Sequence, residues 1–434
     1  MEEQKVIITE NLKTELEAAI HECNPDRIVV LTDSNTSRLC LPVVEGYGCL
    51  QGASHITIDA GDEHKTLDSL VHVWTELQRH GATRHSLLIN LGGGMVTDLG
   101  GFAASTFKRG MHFVNIPTTL LAMVDASVGG KTGINFGGLK NEVGVFRNAD
   151  AVIIDTTFLN TLDTENLLSG YAEMLKHGLL SDKSTLAQLL NNPISPISPI
   201  RPISPISPIS PISPISPIRP IRPIRPIRPI SPIRPIGHIA ALLPQSIAVK
   251  QRIVLADPTE QGLRKALNLG HTIGHAFESL SLERYGQGLC PRPVLHGYAV
   301  AWGLVCELYL SAVKTGFPTE WLHQVARFVH AAYGQMAVSC NDYPALLRLM
   351  AHDKKNTGSD INFTLLRDVG DVAINQTATQ KDIEEALDFY RETGVVKQNE
   401  QRPPYLNDIG GRKTKRDAAV SQRVTAASQR VTRK

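Results

Sequence analysis

"LINLGGGMVTDLGGF", residues 88–102, runs from an apolar stretch through three consecutive glycines into a helical pattern. A short apolar run closed by glycine reads as a buried strand. Gly92, Gly93 and Gly94 let the chain turn tightly and bring backbone N–H groups close to an anion at the start of the next helix. The spacing is not G-x-G-x-x-G, so nucleotide binding and a plain strand-to-helix turn both remain open on this evidence. Similar runs flank it: "RIVVLTDSN" (27–35), "HITIDA" (55–60) and "HFVNIPTT" (112–119), with the helical "TLDSLVHVWTELQRHG" (66–81) between. Strands alternating with helices predict a parallel sheet.

Beyond about residue 160 the pattern turns helical, in "TENLLSGYAEMLKHGLL" (164–180), "LLPQSIAVKQRIVLAD" (242–257), "VLHGYAVAWGLVCELYLSAV" (294–313) and "TEWLHQVARFVHAAYG" (319–334); a short strand-like "INFTLL" (361–366) interrupts it. The expectation is an α/β N-terminal nucleotide-binding domain, 1–155, followed by an all-helical C-terminal domain, 156–395, with a cleft between them as the place for a site.

Two segments stand apart. Residues 193–237 are fifteen units of Pro-Ile-(Ser/Arg/Gly). Proline at every third position withholds the N–H that helix and sheet need and favours polyproline II. The tract reads as an expanded surface loop, since loop closure costs little more as a loop lengthens. A spacer or a ligand for proline-recognising modules is the alternative. Residues 396–434 form a basic tail, with "SQRVT" at 421–425 and again at 428–432, and its composition suits a solvated, disordered end. The chain's net charge of +2 hides this division. The tract holds six arginines and no acid, and residues 401–434 carry +7, so the remaining body is acidic at −11. An acidic body argues against a nucleic-acid partner. No uninterrupted apolar run reaches the ~20 residues of a spanning helix, and "MEEQKVIITE" lacks the pattern of a signal peptide. Six scattered cysteines without C-x-x-C suit reduced thiols in a cytoplasm.

The chemistry concentrates in "LNLGHTIGHAFE", residues 267–278. His271 and His275 fall one helical turn apart on one face, with Asn268 and Arg264 just upstream. Imidazole is a common zinc ligand, and Arg and Asn suit an oxyanion. An H-x-x-x-H pair also arises as two ordinary surface or core histidines. "GYAEMLKHG" (170–178) sets Glu173, Lys176 and His177 on one face, and "LHGYAVAWG" (295–303) offers His296. Three protein ligands leave a zinc ion one open position for substrate. Glu173, His271 and His296 would supply them from three helices, although spacing neither selects His271 over His275 nor excludes His177. "IPTTLLAMVDASVGGKTGIN" (116–135) adds Thr118, Thr119, Asp125 and Lys131, and "GGLKNEVGVF" (137–146) adds Lys140 and Asn141. Each lysine alone reads as a solvated charge; several beside glycines and hydroxyls resemble a site for anionic groups.

Together with "DPTEQGLRKALNLGHTIGHAFE" (257–278) and "MAHDKKNTG" (350–358), these segments closely resemble the 3-dehydroquinate synthases, over about residues 27–390 apart from the Pro-Ile tract. The resemblance implies a dehydroquinate synthase-like fold, NAD in the N-terminal part, and zinc or cobalt in the helical part. It places Asp33, Asn35, Asp62 and Lys65 along the nucleotide. Gly93, Gly94, Met95, Val96, Thr97 and Asp98 follow its pyrophosphate and nicotinamide. Thr118, Thr119, Phe158, Leu159, Asn160 and Thr161 line it, with Asp125, Lys131 and Lys140 nearby. Glu173, His271 and His296 take the metal. His275, Asn268, Arg264, Lys250, Lys131, Lys140, Asn141 and Arg109 hold the substrate's phosphate, carboxylate and hydroxyls, Lys176 joins the catalytic groups, and either Lys354 or Lys355 completes them. The implied substrate is 3-deoxy-D-arabino-heptulosonate 7-phosphate, in a homodimer that engages neither nucleic acid nor membrane.

Three departures from the family pattern stand out. Tyr298 replaces the usual Glu of "HGEAVA", Thr97 stands where Gly is common, and "RYGQGLCPRPV" (284–294) lengthens the segment before His296, which would shift that residue unless it loops out. Competing readings are another sugar-phosphate cyclase, a metal-dependent polyol dehydrogenase of related fold, and a non-catalytic protein docking through the Pro-Ile tract.

Overall fold

The computed structural model describes residues 3–137, 139–191, 236–351 and 361–394. Nearly all of the Pro-Ile tract, the basic tail, Lys354 and Lys355 lie outside the described residues.

Six parallel strands form one sheet: β1 (Val6–Thr9), β2 (Ile28–Asp33), β3 (Ser54–Ile58), β4 (Leu87–Gly92), β5 (His112–Pro117) and β8 (Ala151–Asp155), in the order β1-β8-β5-β4-β2-β3. Strands β4, β5 and β8 are buried almost throughout, as strands covered on both faces must be. The covering helices include α1 (Leu12–Cys23), α2 (Ser34–Leu39), α3 (Leu41–Val44), α4 (Leu67–Arg79) and α5 (Gly94–Thr106). The chain leaves β2 toward one edge and β4 toward the other. The crossovers therefore diverge between these neighbours, and the carboxyl ends of their strands open a crevice there. The sequence expectation located β2 to β5 and α4 but not β1, β8 or the antiparallel hairpin of β6 (Lys131–Phe136) and β7 (Leu139–Phe146).

The second half is mostly helical: α6 (Thr164–Leu179), α7 (Lys183–Asn191), α8 (Ile236–Ala256), α9 (His271–Gly286), α10 (His296–Lys314), α11 (Thr319–Tyr333), α12 (Tyr343–Ala351) and α13 (Gln380–Thr393). It is not all-helical. The "INFTLL" run is β9 (Asn362–Asp368), and it pairs antiparallel with β10 (Asp371–Thr377), whose mixed polar composition concealed it. Helix α10 is buried along nearly its whole length and packs on α6 and α9. Contact this close requires glycine. A Cβ on Gly297 would lie 1.9 Å from the Ser169 carbonyl oxygen on α6, and one on Gly303 would lie 2.1 Å from that of Gly270, just before α9.

Among the described residues one helix, Gly237–Ala256 within α8, is long and apolar enough to cross a membrane, although His238, Gln245, Lys250, Gln251 and Arg252 interrupt its apolar run. Its inner face carries Leu243, Ile247, Lys250 and Ile253 into the protein.

Candidate active site

Five segments expected at a nucleotide each follow the carboxyl end of a parallel strand. Asp33 ends β2 and caps α2, accepting from the Asn35 and Thr36 amides at 2.8 Å. Asp62 and Lys65 follow β3. Gly93 and Gly94 follow β4, where α5 starts without a side-chain cap, leaving its first-turn N–H groups turned outward. Met95, Val96 and Thr97 continue that first turn, and Thr97 Oγ1 donates back to the Gly94 carbonyl, so the threonine at the usual glycine position folds onto its own helix. Thr118 and Thr119 follow β5; the buried Thr118 hydroxyl has no hydrogen-bond partner among the described residues. Phe158, Leu159, Asn160 and Thr161 lie in the 3-10 turn after β8.

A polar network fills the crevice behind these loops. Lys65 donates to Asp98 Oδ2 and Asn141 Oδ1, each at 2.5 Å. Burial pushes the Asp98 carboxyl up, and Lys65 opposes that shift. Asn141 sits in left-handed backbone, φ +51°, a conformation Asn tolerates better than most residues.

Past β5, the single π turn Ala122–Ala126 turns Asp125 toward the helical half. Lys250 on α8 donates to Asp125 Oδ1 at 2.7 Å, and Lys176 on α6 lies 3.9 Å from the same oxygen. Burial alone would raise the Asp125 carboxyl, but these two cations hold it far below the usual range.

Glu173, His271 and His296 meet beside this pair. Their ligating atoms lie within 4.8 Å of one another, each from a different helix. Both Nε2 atoms stand 3.5 Å from Glu173 Oε1. Neither Glu173 oxygen has a hydrogen-bond partner among the described residues, although Lys176 forms an ion pair with Oε2. A buried carboxylate facing two imidazole nitrogens, with hydrogen-bonding capacity to spare, fits a divalent cation. His271 is held in the ligating tautomer, since Nδ1 donates to the Leu269 carbonyl at 3.1 Å. Burial, reinforced by Lys176, drives its pKa well down and keeps it neutral. His296 is pushed up to about 10: burial works against its charge, but Glu278 and Glu173 outweigh it.

The other two histidines left open by spacing fall in neighbouring clusters. His275 completes a triangle of imidazoles, with centroids 5.3 Å from His271 and 5.9 Å from His296, and its ligating atom groups with those of Glu278 and His296 rather than Glu173. His177 belongs to a second cluster, with Asp125 and Glu173, and its Nε2 has no hydrogen-bond partner among the described residues. Its Nδ1 meets the Ser246 hydroxyl at 2.8 Å, and burial lowers its pKa to about 3.

The anion-binding expectations fare unevenly. Lys131 pairs with Glu260, which also accepts from Asn268 at 2.8 Å. Lys140 reaches Asp62 at 2.8 Å and Glu278 at 2.6 Å. Arg264 and Asn268 do not share a helix with His271; they occupy a 3-10 turn, Leu263–Asn268, and Gly270 at φ +79° separates them from α9. Arg264 is buried, and its guanidinium donates to the carbonyls of Pro258 at 2.6 Å and Gly129 at 2.8 Å. Arg109 lies exposed on a turn where it and Lys108 both adopt positive φ, and the structure does not bring it to the cluster.

The 3-dehydroquinate synthase N-terminal sequence model matches residues 55–169, and the C-terminal one matches residues 233–356. A 3-dehydroquinate synthase from Parabacteroides distasonis is 49% identical over 393 residues, covering 91% of this chain and 99% of its own. This chain belongs to the 3-dehydroquinate synthase family. Among solved structures, a 2-deoxy-scyllo-inosose synthase aligns with TM-score 0.69 at 19% identity, covering 90% of this chain and 99% of that one. A 2-epi-5-epi-valiolone synthase from Streptomyces hygroscopicus aligns at 0.67 and 23%, covering 90% and 98%. At those identities the likeness establishes the fold, an α/β part followed by a mostly helical part.

Within the family frame, two departures are absorbed locally. Tyr298 packs edge-on against Tyr333 and Trp302. The lengthened segment before His296 loops out, with Leu289 strongly exposed, and leaves His296 facing Glu173. Sequence reading missed Glu260 and Glu278, although Glu278 stands seven residues after His271 and three after His275, on the same helical face.

Proposed function

We propose that the chain is a 3-dehydroquinate synthase, converting 3-deoxy-D-arabino-heptulosonate 7-phosphate to 3-dehydroquinate and phosphate with NAD and a zinc or cobalt ion. The observation that carries this reading is the convergence of Glu173, His271 and His296 beside a phosphate-type crevice, in a chain 49% identical to a synthase of that name along most of its length. The structures of the two related cyclases hold NAD with zinc or cobalt, which supports the same pair here.

Glu173, His271 and His296 would hold the cation, and the loops after β2, β3, β4, β5 and β8 the nucleotide. When bound, the nicotinamide would take a hydride from the substrate and give it back, and the cation would polarise hydroxyl oxygens. The chain's own residues do the rest. Lys131, Lys250, Asn268 and Asn141 hold the substrate's anionic ends. Asp125 keeps Lys250 and Lys176 aligned. His275, set beside two other imidazoles, passes a proton. Arg264 also clamps the Gly129 carbonyl and so sets the turn that presents Lys131.

We place the enzyme in the cytoplasm, where six free cysteines persist. We also assign it a homodimer, supported by the exposed apolar side chains Phe136, Leu139, Val143, Val145 and Phe146 on the β6–β7 hairpin.

The deciding experiment incubates the protein with the heptulosonate phosphate, NAD and zinc. Phosphate release, a carbocyclic product and no net NADH are expected. Accumulating NADH would mark a dehydrogenase instead, and inactivity with this substrate but turnover of a sugar phosphate lacking a carboxylate would mark another cyclase.

A further inference from the structure

His271 and His296 are oriented in different ways. His271 anchors Nδ1 on a backbone carbonyl of its own chain segment. His296 is the first residue of α10, follows a long loop, and gains no orientation from Leu295, which caps the helix without a side-chain bond. Its Nδ1 instead faces Glu278 Oε2 at 3.3 Å. Glu278 is 5% exposed and rigid on α9. Its other oxygen accepts from Lys140 Nζ at 2.6 Å, and Lys140 also pairs with Asp62 at 2.8 Å. One chain of contacts thus runs from the loop after β3, through the hairpin lysine and the α9 carboxylate, to an imidazole whose far nitrogen faces Glu173. Tyr298, two residues on, is turned to Tyr333 and Trp302.

We infer that Glu278 is a positioning residue: it fixes His296 for the cation and, through Lys140, ties that alignment to the α/β half. The inference rests on the reading of Glu173, His271 and His296 as the cation's donors. A carboxylate behind a ligating histidine locks its tautomer and ring angle and raises its basicity, and losing such a partner typically weakens metal binding about 10–100-fold.

The test is cobalt binding to the full-length, nucleotide-free protein, read by chelator competition and by the visible absorption of the bound ion. E278Q should bind cobalt about 10–100-fold more weakly, with shifted bands and an unchanged number of protein donors. K140M, a change at a half-exposed side chain, should weaken binding in the same direction but less, and K140M/E278Q should lose no more than E278Q alone. Should E278Q fail to fold, K140M still decides: unchanged cobalt affinity there overturns the inference. So does wild-type affinity and spectrum in E278Q, or loss of one donor, which would make Glu278 a ligand. H271A separates the two layers. It should not retain stoichiometric cobalt, and if it does, the donor reading itself falls.

Discussion

Lys176 and Glu173 form an ion pair with about 1% and 0% of their side chains exposed. Breaking such a pair leaves a buried charge uncompensated, at a cost of about 3–5 kcal/mol. Lys176→Met should therefore lower the unfolding free energy of the cation-free protein by that order in a urea titration, and added zinc should restore part of it, since a ligand that binds only the folded form stabilises it. His330, on α11, gives a pH test remote from the site. Its Nε2 meets the Thr393 hydroxyl, Nδ1 has no partner among the described residues, and burial lowers its pKa to about 4. The unfolded chain binds a proton below about pH 6.5, whereas the folded chain waits until about pH 4, so stability falls as pH drops through that window. His330→Gln should flatten this dependence when unfolding free energies are compared at both ends. At this scale the residues that converge, Glu173, His271 and His296, stood among the candidates because their motifs carry metal-binding residue types, although spacing alone neither selected His271 over His275 nor excluded His177. The place of Arg264 was not legible, because its partners are the carbonyls of residues 129 and 258, which no side-chain pattern encodes.

Helix α9 carries two of the three imidazoles, and its start is secured from outside. Gly270 precedes it with no side chain to cap it. Glu307, fully buried on α10, accepts from the Gly270 amide at 2.6 Å and the Ile273 amide at 3.0 Å. A carboxylate at a helix N-terminus satisfies orphan donors and complements the dipole. Glu307→Ala should destabilise the protein by about 1–3 kcal/mol, the cost of leaving buried donors unpaired, and should speed zinc loss to a chelator. Glu307→Gln, which keeps one acceptor, should do both more mildly. An equal effect of the two would argue that charge rather than capping matters. Long amphipathic or apolar segments such as α4, α6 and α10 were readable from their periodicity. Strands β7 and β10 were not: every residue of β7 is exposed, and β10 is mixed polar, so neither shows the apolar run or clean alternation that marks a strand.

For the whole molecule, the open question is the Pro-Ile tract, which separates α7 from α8. Both helices pack against α6 or its neighbours and fold back to the site, so the ends of the tract are set by helices that the core already holds. Deleting residues 193–235 and joining the ends through a short flexible linker should leave turnover and cobalt affinity within about twofold of the parent, because shortening a loop changes its closure cost by only about 0.6 kcal/mol per halving. A large loss would give the tract a function. The division into a sheet half and a helical half was legible because strand and helix periodicities change over near residue 160. A cleft between them was expected as the place for a site, but the pairs that line it, such as Lys140–Glu278 and Lys250–Asp125, were not legible because they lie more than a hundred residues apart.

The tract also falls between the three proposed donors, with Glu173 ahead of it and His271 and His296 behind. A break anywhere in the repeats would sort the cage onto two polypeptides, neither able to chelate alone with three donors. Co-expressed halves should then find each other in a zinc-dependent way, turning the ion into a reporter of complementation between split fragments.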